Sequence, residues 1–192
     1  MSFMVVGLGN VGKRYEETRH NIGFKVIDTL VKEKKETFKK KDKLKAEIAK
    51  SDDIFFLKPL TYMNESGISV KRAKDFFKIE NSKILVVIDD VDIPFGEFRL
   101  KEKGSCGGHK GLLSIETYLT QNYPRLRIGV KNRSFKDLAA YVLGKFSKDE
   151  KKEIPNILKK AVDIIYLWIN KGVNIAMNEA NIRKKDIKDE KK

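Results

Sequence analysis

Five consecutive apolar residues, Ile84-Leu85-Val86-Val87-Ile88, leave this chain few folds to choose from. Side chains alternate between the two faces of a strand, so a strand that is apolar throughout must be covered on both. Asp89, Asp90 and Asp92 follow at once, and the carboxyl ends of strands in open α/β sheets are where ligands sit. Around this strand the periodicity keeps switching. Phe3-Met4-Val5-Val6 opens a second buried strand over 3–8, and Ile22, Phe24, Ile27, Leu30 and Val31 recur at helical spacing over 20–34. Residues 44–50 and 54–58 read as short strands, the second stopped by Pro59, before a helix that runs to about Lys78 with Val70, Ala73, Phe76 and Phe77 inward. Residues 98–101 and 126–130 read as strands and 112–120 as a helix. A long amphipathic helix over 149–171 has acids in its first turn and Gly172 just past its end, and a shorter helical segment covers 173–182.

Strands alternating with helices predict an α/β fold: a single domain over 1–182, built on a twisted, mixed and largely parallel sheet with helices on both faces. A length of 192 residues with 41% hydrophobic content suffices for one such core. The charged residues 183–192 read as a disordered tail. No apolar run approaches the roughly 20 residues of a membrane span, and the start MSFMVV lacks the basic flank and long apolar stretch of a secretory signal. The expectation is a cytoplasmic protein with no membrane partner. One cysteine, Cys106, permits neither an intrachain disulfide nor a multi-cysteine metal site. The formal charge of +14 points to a polyanionic partner such as nucleic acid, with a merely solvated lysine-rich surface as the alternative. Residues 32–45 alone carry eight lysines against three acids.

Gly7 to Gly23 reads GLGNVGKRYEETRHNIG, and its first glycines spell G-x-G-x-x-G. A dinucleotide fold needs a helix directly after that turn and an acid about twenty residues on, at the end of a second strand. Here the helical pattern starts only near His20, and Asp28 and Glu33 lie inside or at the end of it. A nicotinamide or flavin cofactor is therefore not expected. His20 is one of two histidines, and histidine is the side chain suited to proton exchange near neutrality. A general base also needs a partner, usually a carboxylate, to orient it, and Asp89 is the natural supplier. Against this stands a plain structural role for His20 at a helix start, as Asn64 has a plain role as a helix cap. The loop Gly104–Gly111 contains Cys106 and His109, three residues apart, which suggests a thiol nucleophile with its base. A stronger reading is glycine backbone that can approach a phosphate, with Lys101, Lys103, Lys110, Arg125 and Arg127 close in sequence or on a neighbouring strand. Two histidines and scattered acids make a poor zinc site, so no metal is expected.

Six blocks in order resemble the bacterial peptidyl-tRNA hydrolases: GLGNVGKRYEETRHNIG, LTYMNESG (60–67), VIDDVDIPFG (87–96), GGHKGL (107–112), RLRIG (125–129) and VLGKF (142–146). The resemblance implies a cofactor-free esterase that cleaves the bond between peptide and tRNA in peptidyl-tRNA lost by ribosomes. It implies that His20 is the general base, Asp89 its supporting carboxylate, and Asn10 the catalytic amide that positions substrate. Asn64 matches a second amide of the site, Tyr15 and Tyr62 match substrate-contacting aromatic positions, and Lys101 and Arg127 match basic positions associated with the tRNA 5′ phosphate. Two residues depart from the family pattern. Val11 stands where Pro is usual, which loosens the turn and leaves Asn10 in place. Lys110 stands where Asn is usual, and an ammonium only donates hydrogen bonds whereas an amide also accepts them, so a substrate contact there does not carry over directly. The expected protein is a monomer acting on peptidyl-tRNA, its main competitor a non-enzymatic basic RNA-binding protein of the same fold.

Overall fold

A computed structural model describes residues 2–132 and 134–182. Its sheet has seven strands: β1 (Phe3–Gly7), β2 (Lys39–Lys41), β3 (Ala46–Ser51), β4 (Ile54–Pro59), β5 (Ile84–Pro94), β6 (Phe98–Lys101) and β7 (Arg125–Lys131), in the spatial order β2-β3-β4-β1-β5-β7-β6. The four strands β4, β1, β5 and β7 run parallel, and β3 and β6 pair antiparallel beside them. The expected mixed, largely parallel sheet is what forms.

The strand alternation divides the core in two. Val5, Phe56, Leu85 and Val87 face one side and meet α1 (Ile22–Glu33) and α5 (Lys148–Lys171), with α6 (Val173–Ala180) completing that layer. Met4, Val6, Leu57, Ile84, Val86 and Ile88 face the other and meet α2 (Ser66–Phe77) and α3 (Lys110–Leu119). Helices on both faces are therefore the direct result of strands apolar on both faces. A short helix α4 (Leu138–Val142) stands at the sheet's carboxyl end.

The chain departs from its sequence pattern at several points. β5 does not stop at Ile88: pairing with β7 continues through Asp89↔Ile128 and Asp90↔Gly129, so two aspartates are buried inside the strand. α1 begins at Ile22, and His20 lies in a preceding 3₁₀ turn (Arg19–Asn21). Phe76, expected inward, is 67% exposed, and Phe77 takes the packed position on Phe55. Asn64 makes no capping bond at α2. β2 and α4 carry no sequence expectation: the first is three exposed lysines, the second only five residues. The tail 183–192 lies outside the described residues.

The glycines of the opening turn serve packing more than a ligand. A Cβ on Gly7 would lie 2.3 Å from the Gly23 carbonyl oxygen, and one on Gly23 would lie 2.5 Å from that of Val87. Both allow α1 to seat its first turn directly on β1 and β5. Among the glycines of this turn only Gly12, at φ 111°, uses the positive-φ freedom of glycine.

Candidate active site

Parallel strands bring their carboxyl ends together, and the segments that leave or end three of them here, joined by the loop that returns from antiparallel β6, surround one cleft of about 630 Å³. Asn10 and His20 follow β1, Tyr62, Met63 and Asn64 follow β4, Asp89 to Asp92 belong to β5, and the loop before α3 supplies Gly107 to Lys110. Leu138, Ala139, Val142 and Leu143 form the opposite, apolar wall.

At the floor, Asp89 is 3% exposed and its Oδ1 meets two imidazoles: His20 Nδ1 at 2.8 Å and His109 Nε2 at 3.2 Å. The tautomers follow from the partners. His109 Nδ1 accepts the backbone N–H groups of Gly111 and Leu112, at 3.1 and 3.3 Å, as the cap of α3. Its proton is therefore on Nε2, donated to Asp89. The His20 Nδ1–H is donated to the same oxygen, which leaves His20 Nε2 as the free acceptor of a side chain that lines the cleft. Burial would push the Asp89 carboxyl up, but the charge of His20 and the hydrogen bonds from His109 and His20 outweigh it and hold Asp89 well below the usual carboxylate range.

The same three side chains lie within 4.8 Å of one another, close enough to chelate a cation. Proton accounting opposes that use. With Nδ1 of His109 occupied by two N–H donors, its Nε2 could bind a metal only as an imidazolate, whereas as N–H it suits the carboxylate beside it. The same accounting denies Cys106 a base, since both nitrogens of His109 are engaged.

Asn10 is fixed from both sides. Its backbone N–H and C=O pair with the side-chain amide of Asn21, each at 2.9 Å, and its own Oδ1 accepts Met63 N–H at 3.1 Å. The Nδ2 donor is what remains for a ligand. Tyr62 (62% exposed), Asn64 and Lys110 line the cleft with their polar groups unpaired among the described residues. Lys110 has no carboxylate partner among the described residues, and its ammonium faces the cleft, where an anion can meet it.

Arg127 also reaches the cleft, but its guanidinium already binds Asp90 Oδ2 at 3.0 Å and the Ser105 carbonyl at 2.9 Å. Arg125 is no phosphate ligand: it is fully buried and bonds the carbonyls of Gly104, Gln121 and Tyr123, tying the loop to β7. Lys101 ends the edge strand β6, and Tyr15 lies in a 3₁₀ turn under Arg14; neither lines the cleft.

Three supports escaped the sequence reading. His109 was visible as a histidine but not as the second partner of Asp89. Asn21 gave no signal beyond its place beside His20. Arg19, 4% exposed, pairs with Glu150 at 2.8 Å, bonds the Lys145 carbonyl at 2.9 Å and stacks on Tyr141 at 4.5 Å. It thereby joins the His20 turn to the segment that follows the cleft's apolar wall and to the first turn of α5.

Comparison with known proteins places this geometry in context. A family model described as Peptidyl-tRNA hydrolase matches residues 4–190. A peptidyl-tRNA hydrolase of Clostridium novyi is 41% identical over 184 residues, 93% of this chain and 97% of the relative. One from Cytophaga hutchinsonii is 45% identical over 188 residues, 96% of this chain and all of the relative. The crystal structure of peptidyl-tRNA hydrolase from Acinetobacter baumannii superposes with a TM-score of 0.89 at 34% identity, covering 95% of this chain and 96% of that one.

Proposed function

This chain belongs to the peptidyl-tRNA hydrolase family, and we propose that it hydrolyses the ester of peptidyl-tRNA by general-base catalysis at His20. The observation that carries the mechanism is the His20 Nδ1–Asp89 Oδ1 contact of 2.8 Å at the floor of the cleft. It leaves Nε2 to take a proton from the attacking water while the buried anion stabilises the imidazolium that results. The water oxygen adds to the ester carbonyl, the tetrahedral intermediate collapses, and the ribose oxygen leaves with a proton returned by His20. His109 holds Asp89 from the other side, so the carboxylate cannot rotate away as the charge on His20 changes.

Asn10 Nδ2 is a donor with its own acceptor oxygen already occupied, which suits a substrate carbonyl where negative charge develops. Asn64 offers both a donor and an acceptor, which suits the first peptide amide, with Tyr62 beside it. Lys110 fits a phosphate of the 3′-terminal nucleotides better than a peptide group, because it can only donate. Arg127, already bonded to Asp90, contributes to tRNA binding as a fixed, partly neutralised charge, and Lys101 acts outside the cleft on the tRNA 5′ phosphate. Tyr15 has no place in the cleft and is not assigned a contact there.

The substrate reading is tested by comparing N-acetyl-aminoacyl-tRNA with unblocked aminoacyl-tRNA. Rapid release of the blocked amino acid and slow release of the free one are expected, since a free α-ammonium cannot offer the amide that Asn64 matches. No release from the blocked substrate would restore the reading of a non-enzymatic RNA-binding protein.

A further inference from the structure

The lysine-rich segment has no part in the cleft, yet it is built into the sheet rather than left as a loose surface. Lys39 to Lys41 form the edge strand β2, pairing with β3 through Lys39↔Ile48 and Lys41↔Ala46. Because β3 is antiparallel to β4, with Ala46↔Pro59, β2 runs in the direction of β4. Its carboxyl end at Lys41 and the turn through Lys45 therefore lie at the same end of the sheet as the cleft, beside the exit of β4 that leads to Tyr62 and Asn64.

That turn is held firmly. Lys45 has left-handed backbone at φ 49°, a conformation that a lysine adopts only when its surroundings enforce it. Its carbonyl accepts Leu60 N–H at 2.7 Å and Ser69 Oγ–H at 2.6 Å, and the Lys43 carbonyl accepts Arg72 Nη1 at 3.1 Å. The side chains are free by contrast. Lys40 pairs with Asp42, whereas Lys39, Lys41, Lys43 and Lys45 are exposed and form no ion pair among the described residues. Exposed Arg72 stands next to them on α2.

We infer that β2 and the turn after it form a second phosphodiester-binding surface, in which Lys39, Lys41, Lys43, Lys45 and Arg72 grip the helical body of the tRNA whose ester lies in the cleft. The choice of tRNA rests on the function proposed above; the phosphate chemistry rests on the charges alone. Five strand spacings of about 4.8 Å separate β2 from β7, so this ridge and Arg127 flank the cleft about 24 Å apart, too far for one phosphate to meet both. A rigid backbone with unpaired cations suits an RNA backbone, which is read by charge and shape. The alternative use of edge lysines is to prevent strand-to-strand association.

Charge reversal separates the two. Glutamate protects an edge as well as lysine does but repels phosphate. The Lys39→Glu/Lys41→Glu/Lys43→Glu variant should remain monodisperse and raise KM for N-acetyl-aminoacyl-tRNA about tenfold or more at low salt, and lower the slope of log affinity against log salt by about 2 to 3. Hydrolysis of an N-acetyl-aminoacyl ester on a short 3′-terminal oligonucleotide should be unchanged. The corresponding Lys→Gln variant, which adds no repulsion, should show a smaller rise in KM, and it decides the question if the Glu variant does not fold. Loss of binding to duplex RNA with KM for the tRNA substrate unchanged would mean that the ridge holds an RNA other than the substrate, overturning its assignment to the tRNA body. Unchanged KM, salt slope and duplex binding together would overturn the inference and leave edge protection. A wild type inactive on blocked aminoacyl-tRNA would refute the hydrolase reading instead, and duplex RNA binding would still test the ridge.

Discussion

Asp89→Asn should lower kcat on N-acetyl-aminoacyl-tRNA by about 10²–10⁴-fold, the range that general-base catalysis contributes, with tRNA affinity unchanged. The substitution is nearly isosteric, so the floor of the cleft keeps its shape. What disappears is the anion. An amide at this position either turns its oxygen to the histidines, without the charge that stabilises the His20 imidazolium, or turns its NH2 toward them and forces the wrong tautomer on one. The environment of Asp89 also sets the pH behaviour. Burial works to raise its pKa, and the two histidines overcome that and hold it low. A carboxylate with a depressed pKa stays charged as pH falls through the ordinary carboxylate range. Asp89 should therefore add no protonation step to the wild-type kcat profile within the ordinary carboxylate range, and raising the pH should not rescue Asp89→Asn. A rate recovered at high pH would contradict this arrangement.

Glu150→Ala should destabilise the fold by about 3–5 kcal/mol at pH 7, because removing one member of a buried ion pair leaves the other charge unpaired. The side chains of Arg19 and Glu150 are 5% and 2% exposed. Glu150 also completes a capping box with Ser147 at the start of α5. Burial would raise the Glu150 carboxyl, but the Ser147 backbone N–H and the Arg19 guanidinium hold it below its ordinary value of 4.5. The sign follows from that depression. The unfolded chain takes up the proton more readily, so this contribution is complete above about pH 4.5 and is lost as pH falls through the folded value. Urea unfolding at pH 7 and on the acid side of 4.5 should show the wild type losing stability more steeply than Glu150→Ala. Replacing both partners, as Arg19→Met with Glu150→Leu, should recover much of the loss, since no buried charge is then left alone.

How far each feature could be read from the sequence depended on how local its cause is. β6 falls on its alternating residues, and α5 starts one residue from its first acid, because alternation, capping and helical spacing are short-range signals. The two-faced core was legible from Ile84–Ile88 alone. The continuation of β5 through Asp89 and Asp90 was not, because its cause is a partner strand far along the chain, Asp89 pairing with Ile128 and Asp90 with Gly129. β2 contains only lysines and exists because β3 offers it an edge. Within the site, His20, Asp89, Asn10, Tyr62, Asn64 and Lys110 converge on one cleft, while Tyr15 and Lys101 stay outside it. The double hold on Asp89 was hidden because His109 follows it by twenty residues and reaches it only once α3 is capped by that same histidine.

His20 carries the central claim, and single-turnover cleavage of N-acetyl-aminoacyl-tRNA by His20→Ala, with tRNA binding measured in parallel, tests it most directly. Cleavage slowed by about 10²–10⁴-fold at unaltered tRNA affinity is the predicted result. Cleavage at the wild-type rate would contradict the account.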